Sequence, residues 1–519
     1  MKLLAVLCLS MASCVPARLE RMSTLSISPH YGLTDLARAF AGATDEVARR
    51  SLGGWIEKNH GLSQPVGPPG YHINYHSADC DVFAPDYFDR LEPADQYEVY
   101  GLKHHRIEGI GLPLVGFRKN TGRETVEKWY PPEGIARAVT AVAIPGSSGN
   151  VEIRLIDRTR TETLTKGGQC HLLAADFTVP FATLLEKAGT LYFSGFMDMA
   201  RQKPYRGPGF YLMEPYDPNR TPLIFIHGLL STPLAWAELT NELWALPAVR
   251  RRYQIWHYDY PTNAGALYSA RVMRGQLDEL RHFLDPHELD PAMQRTVVIA
   301  HSMGGLLAKT LAVEPRDAFW DAVFTRPLPS LDVTPSEHAT LVEAFYWKPR
   351  GHVDRMIFCS VPFRGSTLAS SLIGRVGSAI IAPNPKFQDF FREVEKKNPG
   401  MLQLDYASLT RGKVTSVVTL TPHMRSMEIL DKLPLTPGTA AHIITGSMDS
   451  VVHRSSATVA AAESNIEVPA GHGSFRHPLT IAEIIRILEL PPARAKRHNA
   501  AGDPKSLSNR FSNQTFLIR

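Results

Sequence analysis

A serine lies within a short run of small residues, Ala-His-Ser-Met-Gly-Gly, at residues 300–305. An apolar, strand-like segment precedes Ser302 and a helix-like segment follows it, the setting in which a serine hydroxyl stands exposed above a sheet. The run has the Gly-x-Ser-x-Gly pattern with Ala300 at its first position. Small residues suit so sharp a turn, since larger side chains would clash across it. The pattern predicts Ser302 as a nucleophile.

A serine nucleophile needs a histidine base and a carboxylate that orients the base. The chain supplies both after Ser302, in the order serine, aspartate, histidine. Asp449 and His472 each follow a strand-like segment. Asp449 alternatively caps its loop. A second imidazole, His477, lies near His472, and we favour His472 because it follows a flexible glycine whereas His477 precedes Pro478 at a helix start.

Acyl chemistry also needs donors for the oxyanion of its tetrahedral intermediate. Residues 226–230, Ile-His-Gly-Leu-Leu, follow an apolar strand at the place where such a loop belongs. The predicted donors are the backbone N–H groups of Leu229 and Met303. The alternative is that this His-Gly pair simply ends a strand.

Together these motifs resemble the bacterial lipase-like branch of the α/β-hydrolase superfamily, over residues 210–490. The resemblance implies an α/β-hydrolase fold with a mostly parallel central sheet, and catalytic roles for Ser302, Asp449 and His472. The Val-Pro-Phe-Arg-Gly-Ser segment at 361–366 also resembles a Thr-Pro-His-Arg-Gly-Ser segment of such proteins, with phenylalanine in place of histidine.

The rhythm of the chain supports this fold class. From residue 209 short apolar strands alternate with helix-period segments, which indicates βαβ units, whereas residues 31–208 have a mixed, β-rich pattern. We predict a signal peptide at 1–14, a linker at 15–30, an accessory domain of unknown role at 31–208, a catalytic domain at 209–490 with cap insertions near 314–352 and 366–440, and a disordered basic tail at 491–519. Aromatic residues in the two insertions either line an acyl-chain pocket or pack the core of the cap.

The N-terminus predicts export. Residues 1–14 combine one lysine with a short apolar run that ends in small residues, and Met-Ala-Ser-Cys at 11–14 resembles a bacterial lipobox. We predict that Cys14 is lipidated and tethers an exported protein to a membrane of the bacterial envelope. The alternative is a plain cleaved signal and a periplasmic or secreted protein.

Net charge and the histidine and cysteine pattern bear on whether the protein binds nucleic acid or a metal ion. A formal net charge of +5, part of it in the tail, does not predict a nucleic-acid partner. His72, His76, Asp79 and Cys80 lie close in sequence but lack zinc-finger spacing, so we predict neither a metal nor a cofactor. Cys80 and Cys170 either form a disulfide or stay free thiols.

The combined prediction is a serine carboxylic ester hydrolase that acts on hydrophobic acyl esters, whether small-molecule or lipid, through an acyl-serine intermediate. An acyltransferase, amidase or thioesterase would use the same three side chains. An alternative of another class is a non-catalytic envelope lipoprotein, for binding or structure, that keeps a hydrolase fold. The sequence leaves the oligomeric state, the acyl chain length and the alcohol portion of the substrate open.

Overall fold

The structure is a computed structural model of the 519-residue chain. It describes residues 17–22, 33–40, 46–60, 65, 67–75, 82–84, 86–188, 209–262, 265–366, 385–404, 406, 425–459 and 461–493. The predicted signal peptide with Cys14, Cys80 and nearly all of the basic tail lie outside these ranges, so the predictions for them stay predictions.

A seven-stranded sheet forms the C-terminal half of the described chain. Its spatial order is β13-β15-β14-β16-β17-β18-β19, and only β13 runs antiparallel to its neighbour. The strands are β13 (Gly209–Leu212), β14 (Thr221–Ile226), β15 (Tyr253–Asp259), β16 (Thr296–His301), β17 (Val353–Cys359), β18 (Ala440–Gly446) and β19 (Ser464–Val468). The mostly parallel sheet predicted from the sequence is therefore present.

Both faces of this sheet are buried, as a parallel sheet requires. Successive side chains of β14 alternate between two apolar clusters, with Ile224 and Ile226 in one and Leu223 and Phe225 in the other. Helices supply the covering layers. They are α3 (Ala237–Ala245), α4 (Pro247–Arg252), α5 (Ala266–Leu284), α6 (Met303–Lys309), α7 (Ala318–Val323), α8 (Pro335–Phe345), α9 (Pro385–Lys397), α10 (Arg425–Lys432) and α11 (Pro478–Glu489), after α1 (Leu33–Phe40) and α2 (Glu46–Asn59) nearer the N-terminus.

Two predicted helices differ from those observed. The single helix predicted over 34–55 is described as α1 and α2. The helix predicted over 303–313 ends at Lys309, because Thr310, Leu311 and Ala312 donate to carbonyls three residues earlier and form tighter turns.

The N-terminal region is rich in strands, as its sequence pattern predicts. A six-stranded sheet has the order β2-β9-β8-β7-β4, with β3 paired to β9. The strands are β1 (Arg18–Arg21), β2 (His72–Tyr75), β3 (Val82–Phe83), β4 (Arg90–Pro93), β5 (Tyr97–Tyr100), β6 (Arg106–Ile107), β7 (Leu112–Arg118), β8 (Ile135–Pro145), β9 (Asn150–Asp157), β10 (Thr163–Lys166), β11 (Gln169–Leu172) and β12 (Ala175–Asp176).

This N-terminal region shares its core with the parallel sheet. Phe117 and Phe181 pack in the same apolar cluster as Phe225, and Trp129 and Ile135 belong to the cluster on the other face. The described N-terminal region therefore contributes to both apolar clusters that cover the parallel sheet, and removing it would expose side chains of those clusters to water.

A buried ion network also joins the two regions. Arg137 of β8 lies 2.9 Å from Asp157 of β9 and 3.0 Å from Glu214, which follows β13. Arg220 contacts the same Glu214 at 2.7 Å and Asp217 at 3.2 Å. Burial raises the pKa of Glu214, but the two guanidinium groups outweigh it and hold that pKa below its usual value. Each charge therefore depends on its partners.

The aromatic residues of the first insertion pack against one another. Trp320 and Phe324 stack with ring centroids 3.9 Å apart, and Phe345 and Phe391 lie against Phe324. All four are buried within the apolar cluster that also contains side chains of β14. Of the two roles left open by the sequence, burial in this cluster favours core packing for these four rings. Residues 379–382 and Phe387 of the second insertion have no described side chains.

No helix within the described ranges combines the length and apolar character needed to span a bilayer.

The ion network predicts a large effect of one substitution. Arg137→Met leaves the buried carboxylates of Asp157 and Glu214 without this cation, so the free energy of unfolding in urea should fall by about 3–5 kcal/mol. Arg154 of β9 lies 2.8 Å from Glu152 in a partly exposed pair and provides the control. Arg154→Met should change the free energy by less than about 1 kcal/mol. Equal losses in the two variants would contradict the network's role.

Candidate functional site

Ser302 occupies a strained turn between β16 and α6. Its backbone has φ 52° and ψ −130°, an unusual conformation for a residue with a side chain. Its N–H donates to the carbonyl oxygen of Cys359 on β17 at 3.0 Å, and its carbonyl accepts from Gly305 at 2.9 Å. The strand thus turns directly into the helix, which brings the hydroxyl out at the carboxyl edge of the sheet.

The glycines after Ser302 are required by close contacts. A Cβ added to Gly304 would overlap the carbonyl oxygen of His227, and one added to Gly305 would overlap the side chain of Val361. Helix α6 thereby packs against the ends of both neighbouring strands. These contacts are with the neighbouring strand ends, whereas the clash within the turn that is expected from the sequence stays a prediction.

The three predicted catalytic side chains meet in this structure. The Nε2 atom of His472 lies 3.0 Å from the Oγ atom of Ser302, and its Nδ1 atom lies 2.9 Å from Oδ2 of Asp449. A carboxylate oxygen only accepts, so Nδ1 carries a proton that it donates to Asp449. In the neutral ring Nε2 then accepts the Ser302 hydroxyl proton. The geometry is that of a nucleophile, a base and an orienting acid.

Asp449 is held as a carboxylate. Burial alone raises its pKa, but the hydrogen bond and positive charge of His472 and the N–H groups of Val452 and Val451 lower the pKa below its usual value. Its side chain is only 3% exposed, against 24% for His472. Asp449 is therefore charged and sheltered, while the imidazole of His472 is partly open to solvent.

The predicted oxyanion donors lie beside the hydroxyl. The loop after β14 approaches so closely that a Cβ on Gly228 would lie 2.9 Å from the Cβ of Ser302. Leu229 follows in that loop and is partly buried. Met303 is the first residue of α6, so its N–H is not used within the helix ladder. Both residues lie next to parts of the chain that adjoin Ser302, and their donor role stays a prediction.

His477, the alternative base, has a different task. Its Nδ1 atom accepts a hydrogen bond from the N–H of Leu479 at 3.2 Å and caps the N-terminus of α11. Its side chain is not part of the hydrogen-bonded set around Ser302.

The segment at 361–366 makes contacts for which the sequence predicts no role. Ser366 donates through its hydroxyl to the carbonyl oxygen of Val451 at 2.6 Å. Arg364 donates to backbone oxygens of the turn that follows. The segment therefore anchors the loop that carries Asp449. The sequence of the segment resembles one in lipase-like proteins, but its contacts are visible only in the folded structure.

A second residue without an assigned role is His301, immediately before Ser302. Its side chain is buried and its Nε2 atom lies 2.8 Å from the carbonyl oxygen of His472. One feature of the sequence could have drawn attention to His301. Alternate residues of a strand share a face, so His301 continues the buried row of Val297 and Ile299 along β16. A histidine at an apolar position needs a hydrogen-bond partner.

The metal and disulfide questions fall partly outside the described chain. His76, Asp79 and Cys80 are not described, and His72 lies in β2. Among the side chains that are described, no three histidine, cysteine, aspartate or glutamate residues are grouped so that they could hold a metal ion. Cys170 is exposed on β11.

Comparison with known proteins gives one family. The sequence model described as "Alpha/beta hydrolase family" matches residues 223–484, just over half of the 519-residue chain. This match and the parallel sheet confirm the predicted fold class. No curated protein matches the chain.

Solved structures with similar folds include three from microorganisms. A mature lipase from Bacillus licheniformis is 15% identical, with 55% of this chain and 100% of that chain covered and a TM-score of 0.35. A carboxylesterase structure from Nitrososphaera gargenis is 15% identical, with 54% of this chain and 93% of that chain covered and a TM-score of 0.30. An enol-lactonase from Burkholderia xenovorans is 15% identical, with 52% of this chain and 92% of that chain covered and a TM-score of 0.28. At these TM-scores the likeness says nothing about the substrate of this chain.

The packing of α6 predicts opposite effects for two glycine substitutions. Gly304→Ala places a methyl group against the backbone of His227 and should lower the free energy of unfolding by about 1–3 kcal/mol. Gly275 lies inside α5, where an added Cβ meets no atom within 4 Å. Gly275→Ala should therefore raise the free energy of unfolding by about 0.5–1 kcal/mol. Urea unfolding of the two variants measures both, and a Gly304→Ala protein as stable as Gly275→Ala would refute the close contact.

Proposed function

The chain belongs to the α/β hydrolase family, and from this membership we propose that it is a serine carboxylic ester hydrolase acting on hydrophobic acyl esters. The observation that carries the proposal is the line of two hydrogen bonds from Ser302 through His472 to Asp449, at 3.0 and 2.9 Å. Such a line serves to activate a hydroxyl, which is weakly nucleophilic by itself.

The proposed reaction has two halves. The Oγ atom of Ser302 attacks the ester carbonyl carbon while Nε2 of His472 takes the hydroxyl proton, and Asp449 stabilises the resulting imidazolium. Collapse of the tetrahedral intermediate breaks the bond to the alcohol oxygen, which receives that proton and leaves. Water then attacks the acyl-serine with His472 as base, and the products are the carboxylic acid and free Ser302.

Charge develops on the carbonyl oxygen in both halves. The N–H groups of Leu229 and Met303 are the proposed donors to it, because their loop and helix flank the Ser302 hydroxyl. Backbone donors need no side chain of a particular type, which agrees with two apolar residues at these positions.

Apolar surroundings support a hydrophobic acyl group. Leu229 and Met303 belong to the apolar packing on one face of the sheet. Apolar surroundings of this kind favour alkyl or aryl groups over charged ones.

Amides, thioesters and acyl transfer to an alcohol differ from ester hydrolysis only in the leaving group or the acceptor. A panel of aryl esters of increasing acyl length, with matched anilides, thioesters and added alcohol acceptors, separates these reactions. The proposal expects ester hydrolysis to have the highest kcat/KM of the panel.

The nucleophile can be tested by covalent labelling. A fluorophosphonate should modify the wild-type protein, and Ser302→Ala should abolish both labelling and ester hydrolysis because the attacking oxygen is gone. Ser360→Ala is the matched control: Ser360 also follows a strand of the sheet with a positive φ of 48°, but its hydroxyl lies 2.9 Å from Ser474 rather than beside an imidazole. It should still be labelled. A wild-type protein that is neither labelled nor active on the panel would favour a non-catalytic binding protein.

The base can be tested by two histidine variants. His472→Gln removes the proton acceptor and should lower kcat for an aryl ester by at least about 10⁴-fold. His477→Gln removes only the cap of α11, so it should leave kcat unchanged and lower the free energy of unfolding by about 1 kcal/mol. If His477→Gln instead abolished activity while His472→Gln preserved it, the base would be His477.

A further inference from the structure

His301 stands at the last position of β16, directly before the proposed nucleophile. It continues the row of Val297 and Ile299 on one buried face of the sheet, since alternate residues of a strand share a face. An aliphatic side chain at this position would complete the row and would need no hydrogen-bond partner. A buried imidazole is stable there only with a hydrogen-bond partner.

That partner belongs to the proposed base. The Nε2 atom of His301 lies 2.8 Å from the backbone carbonyl oxygen of His472. A carbonyl oxygen only accepts, so Nε2 carries the proton and donates it. The two rings lie close, with centroids 4.7 Å apart, and Phe475 packs on His301 at 4.4 Å.

The backbone that receives this hydrogen bond lies in a glycine-rich loop. His472 lies between Gly471 and Gly473. A Cβ added to Gly473 would meet no atom within 4 Å, and one added to Gly471 would meet only the carbonyl oxygen of Met448, at 3.8 Å. Glycines on both sides widen the range of backbone conformations open to this loop. A hydrogen bond to the carbonyl oxygen of His472 narrows that range.

The other edge of the His301 ring faces the loop that follows β14. A Cβ added to Gly228 would lie 2.9 Å from its Nδ1 atom. One ring thus contacts the loop of the proposed oxyanion donor Leu229 and the loop of the base His472, and its own backbone leads into Ser302.

His301 is suited to this place because it stays uncharged. Burial lowers its pKa most, and the positive charges of His472 and Arg476 lower it further, whereas the hydrogen bond to His472 and the charge of Asp449 raise it less. The net pKa is well below the usual value. A neutral neighbour does not oppose the positive charge that the base acquires in the reaction.

We propose that His301 is a positioning residue: its Nε2–H group holds the backbone of His472 so that the imidazole of His472 points at the Ser302 hydroxyl. This role rests on the proposed ester hydrolysis. It assigns a task to the second position of the Ala-His-Ser-Met-Gly motif, a side chain that does not itself touch the substrate.

Three substitutions at this position separate the donor from the ring. In His301→Gln the side-chain amide nitrogen is as many bonds from the backbone as Nε2, so it can donate to the same carbonyl. In His301→Asn the same amide reaches only to the place of Nδ1. His301→Leu keeps apolar bulk without a donor. We expect kcat to fall on the order of 10- to 100-fold in the Asn and Leu variants, because a small misplacement of the base slows the reaction this much. KM should stay within about threefold, since substrate binding is not altered. His301→Gln should retain kcat within about fivefold of wild type.

The thermal midpoint of each variant is measured beside its kinetics. Asn and Gln are chemically matched, so a difference in kcat between two equally stable variants identifies the reach of the donor as the cause. Equal kcat in wild type and all three variants would overturn the positioning role, and so would an equal fall in Gln and Asn. A wild-type protein without esterase activity would instead contradict the proposed function, which makes the two failures distinguishable.

Discussion

The sharp turn at Ser302 is the constraint on which the rest of the site depends. A residue with a side chain in this conformation costs of order 1–3 kcal/mol, and it persists only where its surroundings enforce it. Here the Cys359 carbonyl holds its N–H, and α6 packs through Gly304 and Gly305 against the ends of the adjacent strands. The same contacts that pack the helix therefore fix the direction of the hydroxyl.

The parallel sheet then brings distant parts of the chain to one edge. Loops that follow β14, β16, β18 and β19 all leave the sheet at its carboxyl end, where ligands bind in folds of this type. His472 lies 170 residues after Ser302 and 23 after Asp449, yet the three side chains form one hydrogen-bonded line. Hydrogen bonds from the segment at 361–366 and from His301 reach the loops that carry Asp449 and His472.

The N-terminal region contributes to stability through burial and charge. Its aromatic side chains complete both apolar clusters of the parallel sheet, and Arg137 reaches across to Glu214. Buried charges of this kind are stable only as a complete set, because each loses its hydration on folding. The region thus behaves as a part of the catalytic fold, while its own surface carries no assigned activity.

Local patterns in the sequence determined the fold class and the candidate residues Ser302, Asp449 and His472. These patterns are the strand and helix periods, the small residues at a turn and the order of the motifs. They can be read from the sequence alone because they do not depend on which residues are neighbours in space. Tertiary structure alone decided the rest. Aromatic residues suit a pocket and a core equally well until their partners are known, and only the folded chain reveals that Trp320, Phe324, Phe345 and Phe391 pack in the apolar cluster on one face of the sheet. The hydrogen bond from His301 to His472 and the ion pairs of Arg137 join residues far apart in the chain, so they depend on loop paths that no local periodicity encodes.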